Sequence, residues 1–532
     1  MAEENNQKKS PIKEIIQPFI DLVHAPRALW GINLAYVLEG MVYFGMLGYL
    51  TIHFSSFIFR GVENADEPAH NMVMVLTAGI TIAMFFLGFV ADKKGVRFAL
   101  LAAFSIMLIG RVIMSAAPTV LGMEPAGLWS PLHITTMVGI LFVVVGYGMY
   151  QPAAYAGVRK FTTPKTAAMG FAMLYALMNL GGWLPTYAFL LRDEDFLNLG
   201  IPGTYWVYTS FTLVALLCTI FILTKKTVNR AIMAAKEETE KIQAAEKKEQ
   251  SSGSDTEPAK QENAKEEAVG PAPVRVPVHM WIVVIGLLAI IFWRVPNPHH
   301  YWVGGAVMAL AALAYTIPSW TRWLANHPLS DVKFFFFIFA LIPVQTLFTY
   351  NWFILPPYIS RAFEGWIGDY FEILSNANPI LIFILVPIIA ALTMKAKVYN
   401  MMIIGTFVMA APAFLLVMGP RPIPLIAYIL IMTVGEAMWQ PRFLQYAAEI
   451  APEGRTGEYM GVAQLPWFLT KLLVPLLYSG WMMSRYCPDP ELGRPLNTEF
   501  MWFVFGCIAI TSPILLLLAK RWVGKDFKTK AD

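Results

Sequence analysis

Long apolar runs constrain this chain more than any other feature of its sequence. Fourteen stretches read as membrane-crossing helices: 28–54, 70–92, 97–117, 132–156, 166–191, 203–224, 278–296, 301–319, 332–358, 373–394, 398–418, 422–448, 459–484 and 498–520. Each has the roughly 20 residues needed to span hydrocarbon. There the backbone N–H and C=O groups find no water, so the segment must satisfy them itself, as a helix does. Composition agrees: 57% of the 532 residues are hydrophobic and 14% charged, against about 25% charged in soluble proteins. The expected fold class is an all-α polytopic membrane protein with 14 transmembrane helices. A string of soluble domains is excluded.

Charge placement orients the helices. With the N-terminus inside, Lys93, Lys94, Arg97, Arg159, Lys160, Lys165, Arg322, Lys395, Lys397 and Arg455 all fall on cytoplasmic loops. The opposite side carries only scattered cations such as Arg60, Arg192, Arg361 and Arg485. The positive-inside rule then places both termini in the cytoplasm, in a plasma membrane of the bacterial inner type. The same bias accounts for the net charge of +4, so no nucleic-acid partner is expected. The three cysteines, Cys218, Cys487 and Cys507, are too few for a disulfide framework. Residues 1–27 are polar and show no cleavable signal peptide. The stretch 11–30 reads either as a surface-lying amphipathic segment or as a plain tail.

The expected organisation is a cytoplasmic tail (1–27), six spans (28–224), a polar linker (225–275), a pair of spans (276–320), six more spans (321–520) and a tail (521–532). The linker opens with Glu/Lys spacing that supports a solvated helix, then turns too polar to fold. It reads as a spacer or as a regulatory segment.

Between the second and third spans lies GFVADKKGVRFAL, Gly88 to Leu100. Gly88 and Gly95 permit close approach and a tight turn, and Asp92 and Arg97 can form a charged contact in one conformation and release it in another. This resembles the GxxxDxxGR[RK] loop of the major facilitator superfamily, which implies a major facilitator fold: two six-helix bundles, here with the inserted pair. Gly88, Asp92, Gly95 and Arg97 become gating candidates.

Five further stretches resemble the proton-dependent oligopeptide transporter family. They are EGMVYFGM (Glu39 to Met46), GYGMYQP (Gly146 to Pro152), FAMLYALMNLG with Phe171, Tyr175, Asn179 and Gly181, GEAMWQP with Glu436 and Pro441, and NPILIFILVP (Asn378 to Pro387). The resemblance implies proton-coupled symport of a peptide-like or amine-bearing solute by alternating access. Three of that family's functional positions differ: its first Glu is Tyr36, its Arg is Gly40 and its fourth-helix Lys is Gln151. A non-peptide solute with altered coupling, or a non-transporting receptor, are the alternatives.

Ionisable residues inside spans are costly and are functional candidates by default. Counting 1.5 Å per residue brings Glu39, Asn179, Glu436 and Lys471 near mid-membrane, with Gln151 closer to the cytoplasm. Glu39 and Glu436 are candidate proton carriers; for Glu39 a neutral, hydrogen-bonded structural role is the other reading. Tyr43, Gln151, Asn179, Tyr350, Asn378, Glu436 and Lys471 are candidate solute contacts. Glu436 and Lys471 read as a static ion pair, a switched pair or no contact. Arg111 is expected to snorkel to the interface, and Arg442 to replace a missing cation or to reach a loop. No phosphate loop, HExxH, CxxC or GxSxG pattern occurs, and His299-His300 has no third ligand nearby in sequence. The chain is therefore expected to be no enzyme, with no metal and no cofactor. Its expected partners are a small solute, protons and lipid, with a monomer the simplest state.

Overall fold

The computed structural model describes residues 26–162, 164–252, 275–294, 299–393, 396–450 and 456–523. Every regular element among them is helical. The first half supplies α1 (Arg27–Ile52), α2 (Asp66–Leu87), α3 (Val96–Thr119), α4 (Pro131–Phe161), α5 (Pro164–Trp183) and α6 (Gly200–Ile222). The polar helix α7 (Lys225–Ser252) follows, then α8 (Trp281–Arg294), α9 (His299–Thr316) and α10 (Pro318–Asn326). The second half supplies α11 (Val332–Ala340), α12 (Ile342–Phe353), α13 (Leu355–Ala362), α14 (Ala377–Leu392), α15 (Val398–Ala410), α16 (Pro422–Glu449), α17 (Thr456–Ala463), α18 (Leu465–Val474), α19 (Gly480–Tyr486) and α20 (Thr498–Leu518).

Nine helices among the described residues are long and apolar enough to cross a membrane, and α9 with α10 makes a tenth if that bent pair is one span. Two further apolar helices, Val278–Arg294 and Phe371–Val386, are shorter. The stretch 301–319, expected as one straight span, turns by 89° between α9 and α10. The cause is local: Ile317 is extended and Pro318 opens α10. Proline disfavours helical backbone in the residue before it yet suits the first helical position.

The chain divides into two compact units. The first comprises residues 1–237, 342–446 and 467–532. Its central helix α1 is buried around most of its circumference, with Ile32, Val42, Leu47 and Leu50 all inside, and it packs on α5 and α6. Helices α3 and α4 pack along one another, and α20 packs on α12 and α15. Around α20 the core is aromatic: Trp502 meets the Tyr358 and Tyr428 rings at 5.3 and 5.4 Å, and Tyr350 stacks on Phe505 at 4.3 Å. The second unit comprises residues 238–341 and 447–466. In it α8 and α9 form a hairpin, with Trp281 stacked on Tyr315 at 4.6 Å. Phe334 of α11 meets Tyr459 of α17 at 4.9 Å.

Candidate functional site

The charges that sequence position puts deep in the spans have very different partners. Glu39 on α1 and Arg111 on α3 are 0% and 1% exposed. Both guanidinium Nη atoms donate to the Glu39 carboxylate, Nη1 to Oε2 at 2.8 Å and Nη2 to Oε1. Nη1 also donates to Thr212 Oγ1 at 2.7 Å. This corrects the expectation that Arg111 snorkels: its side chain turns inward and spends its fork on Glu39. Tyrosines cover the pair. Tyr43 meets Tyr147 at 5.1 Å, Tyr147 meets Tyr150 at 5.3 Å, and Tyr150 stacks on Tyr36 at 5.4 Å. Gln151 lies beside Tyr36, within its hydrogen-bonding range.

Glu436 has a neutral partner instead. Asn378 Nδ2, near the start of α14, donates to Glu436 Oε2 at 2.8 Å and to Thr433 Oγ1 at 3.0 Å. Lys471 on α18 stands 5.7 Å from the ring centroids of both Trp352 and Trp467. Of the three readings for Glu436 and Lys471, the structure shows no contact: among the described residues neither is in an ion pair. Arg442 reaches the end of α14, where Nη2 donates to the Thr393 carbonyl at 2.8 Å. A cation there satisfies a helix-terminal carbonyl.

The remaining candidates fall into three groups. Tyr350 is fully buried, shares a hydroxyl hydrogen bond with Tyr478 and belongs to the aromatic core of the second half. Asn179 is half-buried on α5. In the loop motif, Gly95 has φ +88° and makes the turn between a short helix and α3. Arg97 Nε donates to the Leu223 carbonyl at 2.7 Å and so holds the end of α6. The Asp92 side chain lies outside the described set, as do those of Phe171, Tyr175 and Pro387.

Gly40, where the similar family carries Arg, sits in a helix crossing. A Cβ at Gly40 would stand 3.0 Å from the Met178 carbonyl oxygen and 3.5 Å from Gly181 Cα on α5. A Cβ at this register is tight, so α5 must give by a few tenths of an ångström, and a longer side chain must also find a path past it.

Sequence reasoning missed a latch that ties the two halves of the first unit at one end of the helices. Arg361 donates to both Asp66 oxygens at 2.8 Å, and its Nη1 also donates to the Cys487 carbonyl at 3.1 Å. Both partners of the ion pair are buried, at 6% and 7% exposure. Alongside, Tyr49 OH donates to Glu372 Oε1 at 2.7 Å and Arg192 Nε donates to the same oxygen at 2.8 Å. Arg192 Nη2 donates to the Asp369 carbonyl at 2.7 Å, and His70 Nδ1 and Ser479 Oγ hydrogen bond at 2.7 Å. Asp66, Tyr49, His70 and Arg192 come from the first half; the other partners come from the second. Charge-assisted, bidentate pairs of this kind are the strong ones.

Two outcomes test these assignments. Removing one member of a buried pair leaves the other charge uncompensated, at about 3–5 kcal/mol, whereas an apolar pair of similar volume is tolerated. Glu39→Gln should therefore lower the thermal midpoint of the purified protein more than Glu39→Leu with Arg111→Met does. A double variant as unstable as the single one would rule out the pair as the reason both charges are kept. Gly40→Arg should reduce the yield of monodisperse protein in size-exclusion chromatography while Gly40→Ala is mild; equal yields would contradict the crossing.

The sequence model described as Major Facilitator Superfamily matches residues 65–475. No curated protein matches the sequence. Among solved structures, a peptide transporter POT in complex with sulfate is 17% identical, with TM-score 0.63 over 94% of this chain and 95% of its own. The POT family transporter PepTSo is 15% identical, with TM-score 0.64 over 94% and 99%. A D-xylose-proton symporter is 14% identical, with TM-score 0.59 over 92% and 96%. At these identities the likeness is one of fold. That fold and the sequence match over 65–475 together make this chain a member of the Major Facilitator Superfamily of transporters.

Proposed function

We propose that this transporter moves a small peptide-like or amine-bearing solute by alternating access, in symport with protons. The observation that carries the coupling is the difference between its two deep glutamates. Glu39 is committed to Arg111 through both oxygens, so protonating it would break an ion pair on which the fold rests. Glu436 is only 4% exposed and is held by a neutral amide. It can gain or lose a proton without stranding a buried cation, which is what a coupling group needs. Asn378 then orients the carboxyl in either state, and Lys471, Gln151 and Asn179 are candidate solute contacts.

The latch supports the rocking motion. Ionic clusters between halves are contacts that one conformation makes and another gives up, and such contacts bias a two-state equilibrium. By the positive-inside reading this end faces outward in a plasma membrane, so the structure corresponds to an outward-closed state. Asp92, Gly88, Gly95 and Arg97 would act at the opposite, cytoplasmic end. The solutes named for proteins of similar fold, among them 5-aminolevulinic acid and D-xylose, are small polar molecules of the size this reading requires.

Two experiments test it. In proteoliposomes, an inward proton gradient should drive uptake of a member of a panel of dipeptides, amino acids and polyamines, and Glu436→Gln should abolish the gradient-driven part while counterflow exchange survives. Uptake that is indifferent to Glu436→Gln would remove Glu436 from coupling. For the latch, Cys487 is the reporter: it is fully buried, and burial pushes its thiol up to about 12. In a Cys218→Ser, Cys507→Ser background, Cys487 should react at neutral pH with a membrane-impermeant maleimide at least 10-fold faster after Asp66→Asn. An unchanged rate would show that the Asp66–Arg361 pair does not close this end.

A further inference from the structure

The latch contains more hydrogen-bonding capacity than its own ion pairs use. Glu372 is 3% exposed, and its two side-chain donors among the described residues, Tyr49 and Arg192, converge on Oε1. Its Oε2 is buried with no partner among the described residues, and so are Asn351 Oδ1 and Ser375 Oγ. These side chains line one small cavity together with Phe44, Trp352 and Phe371. The space free for a group the size of water is about 20 Å³, enough for one such group.

Chemistry narrows what that group is. The cavity offers three oxygens, one of them on a carboxylate, so an anion is repelled. A water brings two hydrogens and a primary ammonium three, one for each oxygen; the charge of the site and its aromatic walls decide between them. The walls are aromatic: Phe44 meets Trp352 at 5.8 Å, and Phe371 meets Tyr49 at 6.1 Å. Ring faces attract cations. Local charge agrees, because Arg192 sits between Glu372 and Asp193, 2.8 and 3.8 Å from their oxygens, leaving one negative charge in excess. An added ammonium would balance it.

We propose that this cavity is the docking site for the primary ammonium head of the transported solute. The assignment deepens the transporter reading and rests on it. Bound there, the ammonium joins the carboxylate that receives Tyr49 and Arg192 from the first half, so the solute helps to hold the latch closed behind itself. Trp352 borders this site and also lies 5.7 Å from the Lys471 ammonium. A solute with an anionic end therefore meets a cation in the same neighbourhood.

The test uses the full-length purified protein and matched probes at neutral pH: L-alaninamide against L-lactamide, and 1,4-diaminobutane against 1,4-butanediol. A ligand that binds the folded state raises its apparent stability in proportion to RT ln(1 + [L]/Kd). The ammonium member of each pair should raise the thermal midpoint and its neutral counterpart should not. Asn351→Ala and Ser375→Ala, which leave every latch ion pair in place, should each weaken the ammonium probe about 5- to 10-fold. Glu372→Gln should weaken it further. Equal shifts within each pair, no shift at millimolar probe, or unchanged affinity in Asn351→Ala and Ser375→Ala would each overturn the site. Proteoliposome flux separates the two claims. Gradient-driven uptake of neutral or anionic solutes alone, unaffected by Asn351→Ala, removes the ammonium site and keeps the transporter. Ammonium binding without any flux removes symport and keeps the site.

Discussion

The cost of burying charge away from water organises this molecule. A carboxylate or guanidinium taken into a low-dielectric interior loses several kcal/mol of hydration even after the protein relaxes, and only a well-placed opposite charge offsets it. The chain answers that demand at Glu39 and Arg111, where a bidentate pair buried to 0% and 1% exposure joins α1 to α3 and, through Thr212, to α6. The three helices are thereby tied together by a contact that has no substitute in lipid. A pair this complete makes a poor switch, because any state that opens it must bury two naked charges.

From that constraint the remaining charges sort themselves. Asp66 with Arg361 and Glu372 with Arg192 stand at the ends of helices, where the opening proposed above would return both partners to water. Their desolvation is recovered on opening, so these pairs can form and break at modest net cost. Glu436 takes the third course: its neighbour is an amide, which donates to the carboxylate without requiring it to stay charged. Fixed pair, separable pair and unpaired acid are three answers to one cost. On the proposed reading they supply the rigidity, the gate and the proton site of a rocking transporter.

The sequence shows depth but not direction. Counting residues along a span places Glu39, Glu436 and Lys471 near mid-membrane; in the structure the two glutamates are buried and Lys471 lies beside two indoles. The same count puts Arg111 in the outer third of its helix, where either an inward or an outward side chain is possible, and nothing local distinguishes them. Its partner is 72 positions away. The latch is further still from local reading, with Asp66 and Arg361 separated by 295 positions and Tyr49 and Glu372 by 323. In the sequence Arg192 and Arg361 are simply scattered cations on the sparsely charged side. Turns are more legible: Gly95 adopts the positive φ expected of a tight turn. The bend at Pro318 was also available, since proline disfavours helix in the residue before it, but the surrounding apolar run hides it.

Gly40 shows how one substitution can redirect a site. The similar family holds an anion with a cation at this register, yet here α5 approaches so closely that a Cβ would press on the Met178 carbonyl. The missing cation and the tight crossing thus fall at the same residue. The first half then presents Tyr43, Tyr147 and Tyr150 around a neutralised Glu39–Arg111 pair, and offers aromatic surface where the family offers positive charge. In the second half Lys471, in no ion pair among the described residues, lies over two indoles. On the proposed reading, an anionic group of the solute would be received from that side, with its ammonium end free to reach the carboxylate at the latch. Under that proposal recognition is reversed between the halves relative to the family pattern, while the ion pairs between the halves stay at the helix ends.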